Sequence, residues 1–440
     1  MKIFKFGGAS IKDALGVKNI AHILHQEGAS NCLLVISAMG KMTNAFENIV
    51  NSYVNNDQEK LTESIDFTIN YHTKIISDLF QDEHEIHQNI TILFGEMIHF
   101  LAKNIAKEYD YLYDQIVCYG ELLSTTIVSE YLTDIGVTNT WKDVRKLVIT
   151  DAVYRDATLN WLETEQLIKT QIDSSKLTIV QGFIGGHSNG NTTTLGREGS
   201  DYTAGIFAYC LDAKNVTIWK DVLGVLNADP REFKETQLLN HISYEETIEM
   251  AFYGASVIHP KTIKPIQNKQ IPLYVRSFND LNSPGTKVSS GITIEPIVPC
   301  FIVKKNQVLI SISTRDFSFM VEDNISDIFK LLHTYQLRVN LIQNSAISFS
   351  VCVDNHFNHF DQFYDEIKLV FKASFIKGVD LYTVRHFTNN SLNKINNLGR
   401  SILSQINKNT AQIIIQKKIN EQYFIFLVMF VDTRSFHLWS

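Results

Sequence analysis

Across its first 290 residues the chain alternates short β-branched runs with stretches of helical periodicity. That alternation restricts it to α/β layers built on a mostly parallel sheet. Lys2–Phe6 reads as a strand ending at Gly7-Gly8, and Ser10 is placed to cap a helix reaching Gln26. Cys32–Ser37 is continuously apolar, as a strand buried on both faces must be. Residues 58–112 carry helical spacing, for example at Ile65, Ile69, His72 and Ile76, and form a helical excursion from the sheet. Further strands are predicted at Gln115–Tyr119, Lys146–Ile149, Leu177–Gln181, Val216–Lys220 and Ile271–Val275. Helices are predicted at Glu121–Leu132, Leu159–Ile172, Asp201–Cys210, Ser243–Tyr253 and Pro260–Asn268, and Asn189-Gly190 signals a hairpin turn. Ser283-Pro284-Gly285-Thr286 and Ser289-Ser290-Gly291 read as a linker, so the first domain is taken as 1–290.

After residue 297 the pattern changes to small β-α-β units: Leu309–Ser313, a helix at Ile325–Tyr335, Val339–Ile342, Ile347–Val353 and a helix at Phe360–Phe371. These suggest ferredoxin-like modules over 297–418, leaving 419–440 as an extra tail without a functional account. A chain of 440 residues suits about three domains. With 40 Lys plus Arg against 47 Asp plus Glu and no basic run, neither nucleic acid nor an anionic membrane is an expected partner. Five scattered Cys without a C-x-x-C pair suggest no zinc site, no disulfide framework and a reduced, cytoplasmic compartment. The first residues leave no room for a signal-peptide apolar region, and Phe424–Val431 is far short of the roughly 20 apolar residues a spanning helix needs.

Four stretches can carry chemistry. Lys5-Phe6-Gly7-Gly8-Ala9-Ser10 places two glycines and a cation where a strand meets a helix, which suits a phosphate as well as a plain tight turn. Asn191–Asp201 packs hydroxyls, glycines, Arg197, Ser200 and Asp201 into the opening of a helix. There Arg197 can clamp a carboxylate, and Asp201 can orient a lysine or bring in a metal ion. Trp219–Arg231 is a strand feeding a polar loop in which Arg231 could reach a phosphate. Glu121, in Gly120-Glu121-Leu122-Leu123-Ser124, fits a helix first turn or a substrate ammonium. His84-Glu85-Ile86-His87 lacks the H-E-x-x-H spacing, and no resident metal site is expected.

Together these stretches resemble the aspartate kinases of the amino-acid kinase family. The matching blocks are KFGGAS (5–10), VISAMGKMTN (35–44), GELLS (120–124), DVRKLVITD (143–151), QGFIGG (181–186), TTTLGREGSDYTA (192–204), DVLGVLNADPR (221–231) and ISYEETIEMAFYGASVIHPKTI (242–263). The part around VNLIQNSAISFSVCV (339–353) resembles the paired ACT regulatory domains of the same enzymes. The resemblance implies a three-layer α/β/α kinase domain followed by ACT modules. It implies ATP with Mg2+ as cofactors and transfer of the γ-phosphoryl to the side-chain carboxylate of L-aspartate. By the same resemblance Lys5, Gly7, Gly8 and Ser10 meet the phosphates, while Thr43, Glu121, Arg197 and Ser200 hold aspartate. Asp201 organises the catalytic cation, and Asp221, Arg231, Ser256 and Lys261 belong to the ATP side. Asn340, Gln343, Asn344 and Ser345 would line an amino-acid effector site between copies of a homodimer or larger assembly.

The sequence departs from the family at Ala9, Glu198, Lys220, Leu226, Asn227 and above all Ser256, where the family carries a lysine. Losing that cation unreplaced would cost a rate factor on the order of 10³. Lys220, a gained cation, is the candidate replacement, with Lys261 second. Readings kept beside the kinase are a ligand-holding protein without turnover and a kinase of another amino acid. A fused homoserine dehydrogenase is not expected, because the last 140 or so residues lack a second Gly-rich nucleotide fingerprint. The family's lysine-sensitive members carry Asp where this chain has Asn340, so weak lysine inhibition is expected.

Overall fold

The computed structural model describes residues 1–255, 258–316 and 318–417. They form two bodies, one of Met1–Leu226, Gln237–Ala251 and Ser256–Pro296, the other of Asn227–Thr236, Phe252–Ala255 and the residues from Ile297 onward.

In the first body the strands are β1 (Lys2–Phe6), β2 (Cys32–Ile36), β3 (Thr140–Lys142), β4 (Thr178–Gln181), β5 (Ile184–Gly186), β6 (Thr192–Thr194), β7 (Asn215–Lys220), β8 (His241–Ile242), β9 (Leu273–Ser277), β10 (Thr286–Val288) and β11 (Ile294–Glu295). The helices are α1 (Ala14–Glu27), α2 (Met42–Val54), α3 (Gln58–Leu79), α4 (Ile86–Lys103), α5 (Tyr109–Asp134), α6 (Trp161–Gln171), α7 (Gly199–Cys210), α8 (Tyr244–Tyr253) and α9 (Pro260–Asn268). Nine strands make one sheet in the order β11, β8, β10, β9, β7, β1, β2, β4, β3, parallel from β9 through β3, while β5 and β6 pair as a separate hairpin.

Strand alternation decides where the charges go. Phe4 and Phe6 of β1, Leu34 and Ile36 of β2 and Trp219 of β7 join the core formed with α1–α5. Lys5 and Lys220 stand one residue out of that phase, so both turn to the opposite face, which α7 covers. Two lysines are thereby delivered beside the first turn of α7 and its Asp201.

Several expectations change. Gln115–Tyr119 is no strand but the middle of the 26-residue helix α5. Its apolar run is continuous because the helix is buried on nearly every side, with Leu112, Ile116, Val117, Leu123, Ile127 and Val128 all inside the core. The predicted strand at Lys146–Ile149 is a 3-10 turn at Val144–Lys146 followed by single-residue bridges, and the edge strand is β3 just before it. Ser10 caps no α-helix. Asp13 does, accepting from Gly16 N at 2.9 Å, and the hydroxyl of Ser10 donates to the Trp219 carbonyl at 3.5 Å. The stretch read as a linker holds β10, whose Thr286 hydroxyl is buried between the Leu239 carbonyl at 2.6 Å and the Val225 amide at 2.8 Å.

The second body has β12 (Cys300–Ser313), β13 (Arg338–Asn344), β14 (Ser348–Asp354), β15 (Lys372–Arg385), β16 (Arg400–Ile406) and β17 (Thr410–Gln416), with α10 (Glu322–Thr334), α11 (Phe360–Val370) and α12 (Asn389–Asn396). The antiparallel sheet runs β13, β14, β12, β15, β17, β16. β12 and β15 pair along almost their whole lengths, with a register shift between Lys304 and Val308. Beyond the shift β12 pairs with β14, and α10 and α11 bury Ile328, Leu332, Phe360, Phe363 and Ile367 on that half. The far half of β15 pairs with β17, and α12 packs Ile395 against Val384, Ile413 and Ile415. Two β-α-β modules therefore share two long strands. The tail 419–440 lies outside the described residues. Among the described residues no helix is long and apolar enough to cross a membrane.

Candidate active site

β1, β2, β4 and β7 end side by side at Phe6, Ile36, Gln181 and Lys220. The carboxyl ends of parallel strands are where α/β sheets bind their ligands. A cavity of about 470 Å³ opens there. Its floor is ionic. Asp201, 2% exposed, lies 2.7 Å from the Lys5 ammonium and 3.6 Å from that of Lys220. Burial pushes the Asp201 carboxyl up, but the charges of Lys5 and Lys220 outweigh it and hold the group below its usual value. Gly8 closes the loop after β1 against the loop that follows β2. A Cβ there would stand 2.6 Å from the Gly40 carbonyl oxygen and 2.7 Å from that of Ala38, so only glycine permits the approach.

Glu121, on α5, is the second carboxyl of the cavity. Ala38 N donates to its Oε1 at 3.2 Å, while Oε2 is buried without a hydrogen-bond partner among the described residues. Burial pushes this carboxyl up to about 8 against the pull of the Ala38 N–H. Arg197, exposed, and Arg155 supply guanidinium groups to the same cavity. Arg155 adopts φ 68°, stacks its guanidinium 4.3 Å from the Tyr113 ring and lies 3.6 Å from Glu47. Its backbone amide donates to buried Asp114 at 3.0 Å, and the same carboxylate takes the Thr194 amide and hydroxyl, both at 2.8 Å.

Of the residues expected from sequence, the cavity gathers Lys5, Gly8, Thr43, Glu121, Arg197, Ser200, Asp201 and Lys220. Gly7 does not line it, although a Cβ there would meet the Lys5 ammonium at 3.3 Å. Ser10 is turned to the β7 backbone, and Asp221 is exposed in the turn after β7. Arg231 falls in the second body, its guanidinium closed on Asp229 at 2.6 Å. Lys261 pairs with Asp156 at another cavity. Ser256 lies outside the described residues. Sequence reasoning missed Tyr113, Arg155 and Phe183, which line the cavity, and Asp114, which positions Arg155. Arg155 follows directly on the matched block 143–151, and that proximity was the available signal.

No Ser–His or Cys–His pair lines the cavity among the described residues. Four cations share the cavity with Asp201, kept ionised, with Glu121, kept neutral by burial, and with Glu198, whose side chain accepts the His259 amide. Such a site is suited to gathering anions and neutralising charge as it moves between them. A family model, the amino acid kinase family, matches residues 1–277. The lysine-sensitive aspartokinase 3 of Escherichia coli (strain K12) is 31% identical over 358 residues, covering 80% of this chain and 78% of that one. A chloroplastic bifunctional aspartokinase/homoserine dehydrogenase of Daucus carota is 30% identical over 369 residues, 80% of this chain but 39% of that one. Among solved structures, E. coli aspartokinase III in complex with aspartate and ADP (R-state) aligns with a TM-score of 0.78 and 26% identity, covering 94% of this chain and 96% of that one.

Proposed function

The chain belongs to the amino-acid kinase family and is an aspartate kinase, and from that premise we propose how its residues divide the phosphoryl transfer. A side-chain carboxylate of ordinary pKa near 3.9 is already ionised at neutral pH, so L-aspartate needs no general base. Its ammonium goes to Glu121 and its α-carboxylate to Arg197, with Arg155, Thr43 and Ser200 completing the pocket wall. Lys5 and Lys220 face the transferring phosphoryl of ATP, and Asp201 keeps both ammonium groups at one point. The backbone at Gly8, which lines the cavity, is offered to the phosphates. The substrate carboxylate oxygen bonds to the γ-phosphorus as the bond to the β–γ bridging oxygen breaks, giving 4-phospho-L-aspartate and ADP. The assignment of Asp221 and Arg231 to the nucleotide rests on the resemblance of residues 221–231 alone.

Magnesium fits as a companion of the nucleotide rather than as a resident ion. Both Asp201 oxygens already face ammonium groups, so phosphate and water would supply most of its ligands, the usual arrangement for this ion. Bound there, it would neutralise phosphate charge. The reading also includes a homodimer or larger assembly, an effector site at Asn340, Gln343, Asn344 and Ser345, and a cytoplasmic location. Five buried Cys, none of them in a disulfide, agree with a reducing compartment.

The observation that carries the mechanism is the Lys5–Asp201–Lys220 cluster at the strand ends. Hydroxylamine trapping tests it, because the acyl phosphate is captured as a hydroxamate. Hydroxamate should form only with both ATP and aspartate, and its absence would favour a ligand-holding protein without turnover. Lys220→Ala should lower kcat by a factor on the order of 10³ with KM little changed. A near-normal kcat would discard Lys220 as the replacement cation.

A further inference from the structure

A second cavity, of about 630 Å³, lies wholly within the first body. Its apolar wall is aromatic: Trp161 opens α6, and Tyr202 and Tyr209 stand two turns apart on α7. The Trp161 and Tyr209 rings meet edge to face with centroids 5.1 Å apart. The remaining wall is one face of α9, where Lys261, Lys264, Pro265 and Asn268 follow the i, i+3, i+4, i+7 pattern. Asp156 sits at the same end of the cavity, paired with Lys261. Lys264 makes no ion pair or hydrogen bond among the described residues.

Packing does not require this combination, since an apolar helix face would cover the rings better. The charged end holds two ammonium groups and one carboxylate over a ring-lined hollow. A polyanion would meet Asp156, and a plain hydrocarbon would desolvate Lys264 with nothing to pair it. A zwitterion matches the whole set. Its carboxylate takes Lys264 and Lys261, its ammonium takes Asp156, and a flat side chain lies among Trp161, Tyr202 and Tyr209. The volume is within the range of small-molecule sites. We propose that this cavity binds a free α-amino acid with an aromatic side chain, separately from the phosphoryl-transfer cavity. The two cavities are neighbours in the chain as well as in space. Arg155 lines the first and Asp156 the second, and the Asp156 Oδ1 packs within 2.5 Å of where a Gly196 Cβ would stand.

Isothermal titration of the full chain, held saturated with aspartate and ADP, tests the proposal without relying on turnover. Its failure is therefore distinct from failure of the kinase mechanism. Phenylalanine should bind, while N-acetylphenylalanine, phenethylamine and alanine should each bind about tenfold more weakly or worse. Lys264→Ala, an exposed change that leaves the fold intact, should weaken phenylalanine about tenfold. Trp161→Phe should remove the fluorescence change on binding. No heat from any probe up to about 10 mM would overturn the proposal. So would phenylalanine binding that Lys264→Ala leaves unchanged. Equal binding of N-acetylphenylalanine would overturn the zwitterion assignment and leave an anion site.

Discussion

Glu121 and Asp201 are both buried carboxyls on one cavity, and their surroundings drive them apart. Asp201 stays ionised because two lysines repay its burial. Glu121 has one backbone N–H and an unused oxygen, so it holds a proton up to about pH 8. An incoming ammonium favours the ionised form, so aspartate must displace that proton on binding. Below the Glu121 pKa, each unit of pH lost then weakens binding about tenfold. The KM for aspartate should fall about tenfold per unit as pH rises from roughly 6 to 8, then level off, with kcat following a different profile. Initial rates across that range check the slope, and Glu121→Gln should flatten it while raising KM. A KM independent of pH in the parent protein would remove Glu121 from the ammonium site. Glu198 explains itself in a different way. It takes φ 55°, a left-handed conformation that favours glycine, but its side chain accepts the His259 amide at 2.9 Å. The bond ties the Arg197 loop to the start of α9 and offsets the backbone strain.

At the scale of elements, α5 organises the site more than any loop does. Asp114 gathers the Arg155 amide and both donors of Thr194, and Gln115 bonds Thr192 in both directions at 2.8 and 3.0 Å. Two consecutive helix residues thus fix the β5–β6 hairpin and the turn that carries Arg155. Asp114→Ala would strand buried donors, each costing about 1–3 kcal/mol, less what is regained by removing a carboxyl whose own burial is unfavourable. A net loss of about 2–4 kcal/mol is expected. Urea unfolding would show it as a lower midpoint at unchanged slope, and the aspartate KM should rise because Arg155 is released. Asp114→Asn, which keeps one acceptor oxygen, should lose less. Lys5, Asp201 and Lys220 were legible in the sequence because each sits at a strand end or helix start marked by neighbouring glycines. α9 was legible to the residue because Pro260 starts it and its apolar face is periodic. The second half of α5 was read as a helix from Glu121, but the part before it was not, because a helix buried nearly all round shows a continuous apolar run like that of a strand. Once Gln115–Tyr119 is taken for a strand, Asp114 and Gln115 lose their meaning. Their partners lie 41 to 80 residues away, a pairing no local pattern encodes.

For the molecule as a whole, the question is what its second body senses. Asn340 lies on β13, beside the register shift in β12. Both arms of its amide are taken from within the chain. The Lys304 ammonium donates to Oδ1 at 2.7 Å, and Nδ2 donates to the Gln307 side chain at 2.7 Å. Burial pushes the Lys304 ammonium down to about 8, with the Arg338 charge adding to it. The chain's own lysine therefore holds the oxygen that an effector ammonium would need. Lysine at about 1 mM should leave the kinase rate within roughly twofold of its unliganded value, since the missing charge-assisted bond is worth about 1.5–3 kcal/mol. Restoring the acidic residue alone should not change this. In Asn340→Asp the new carboxylate pairs with Lys304, raising the pKa of that ammonium and remaining closed to a ligand. Only Asn340→Asp with Lys304→Met leaves an unpaired carboxylate there, and lysine should then inhibit at least tenfold more tightly. Rates measured against lysine concentration for the three proteins separate the cases. Low-micromolar inhibition of the parent protein would mean that the ammonium is read elsewhere on the sheet and that the Lys304–Asn340 bond has no part in excluding it.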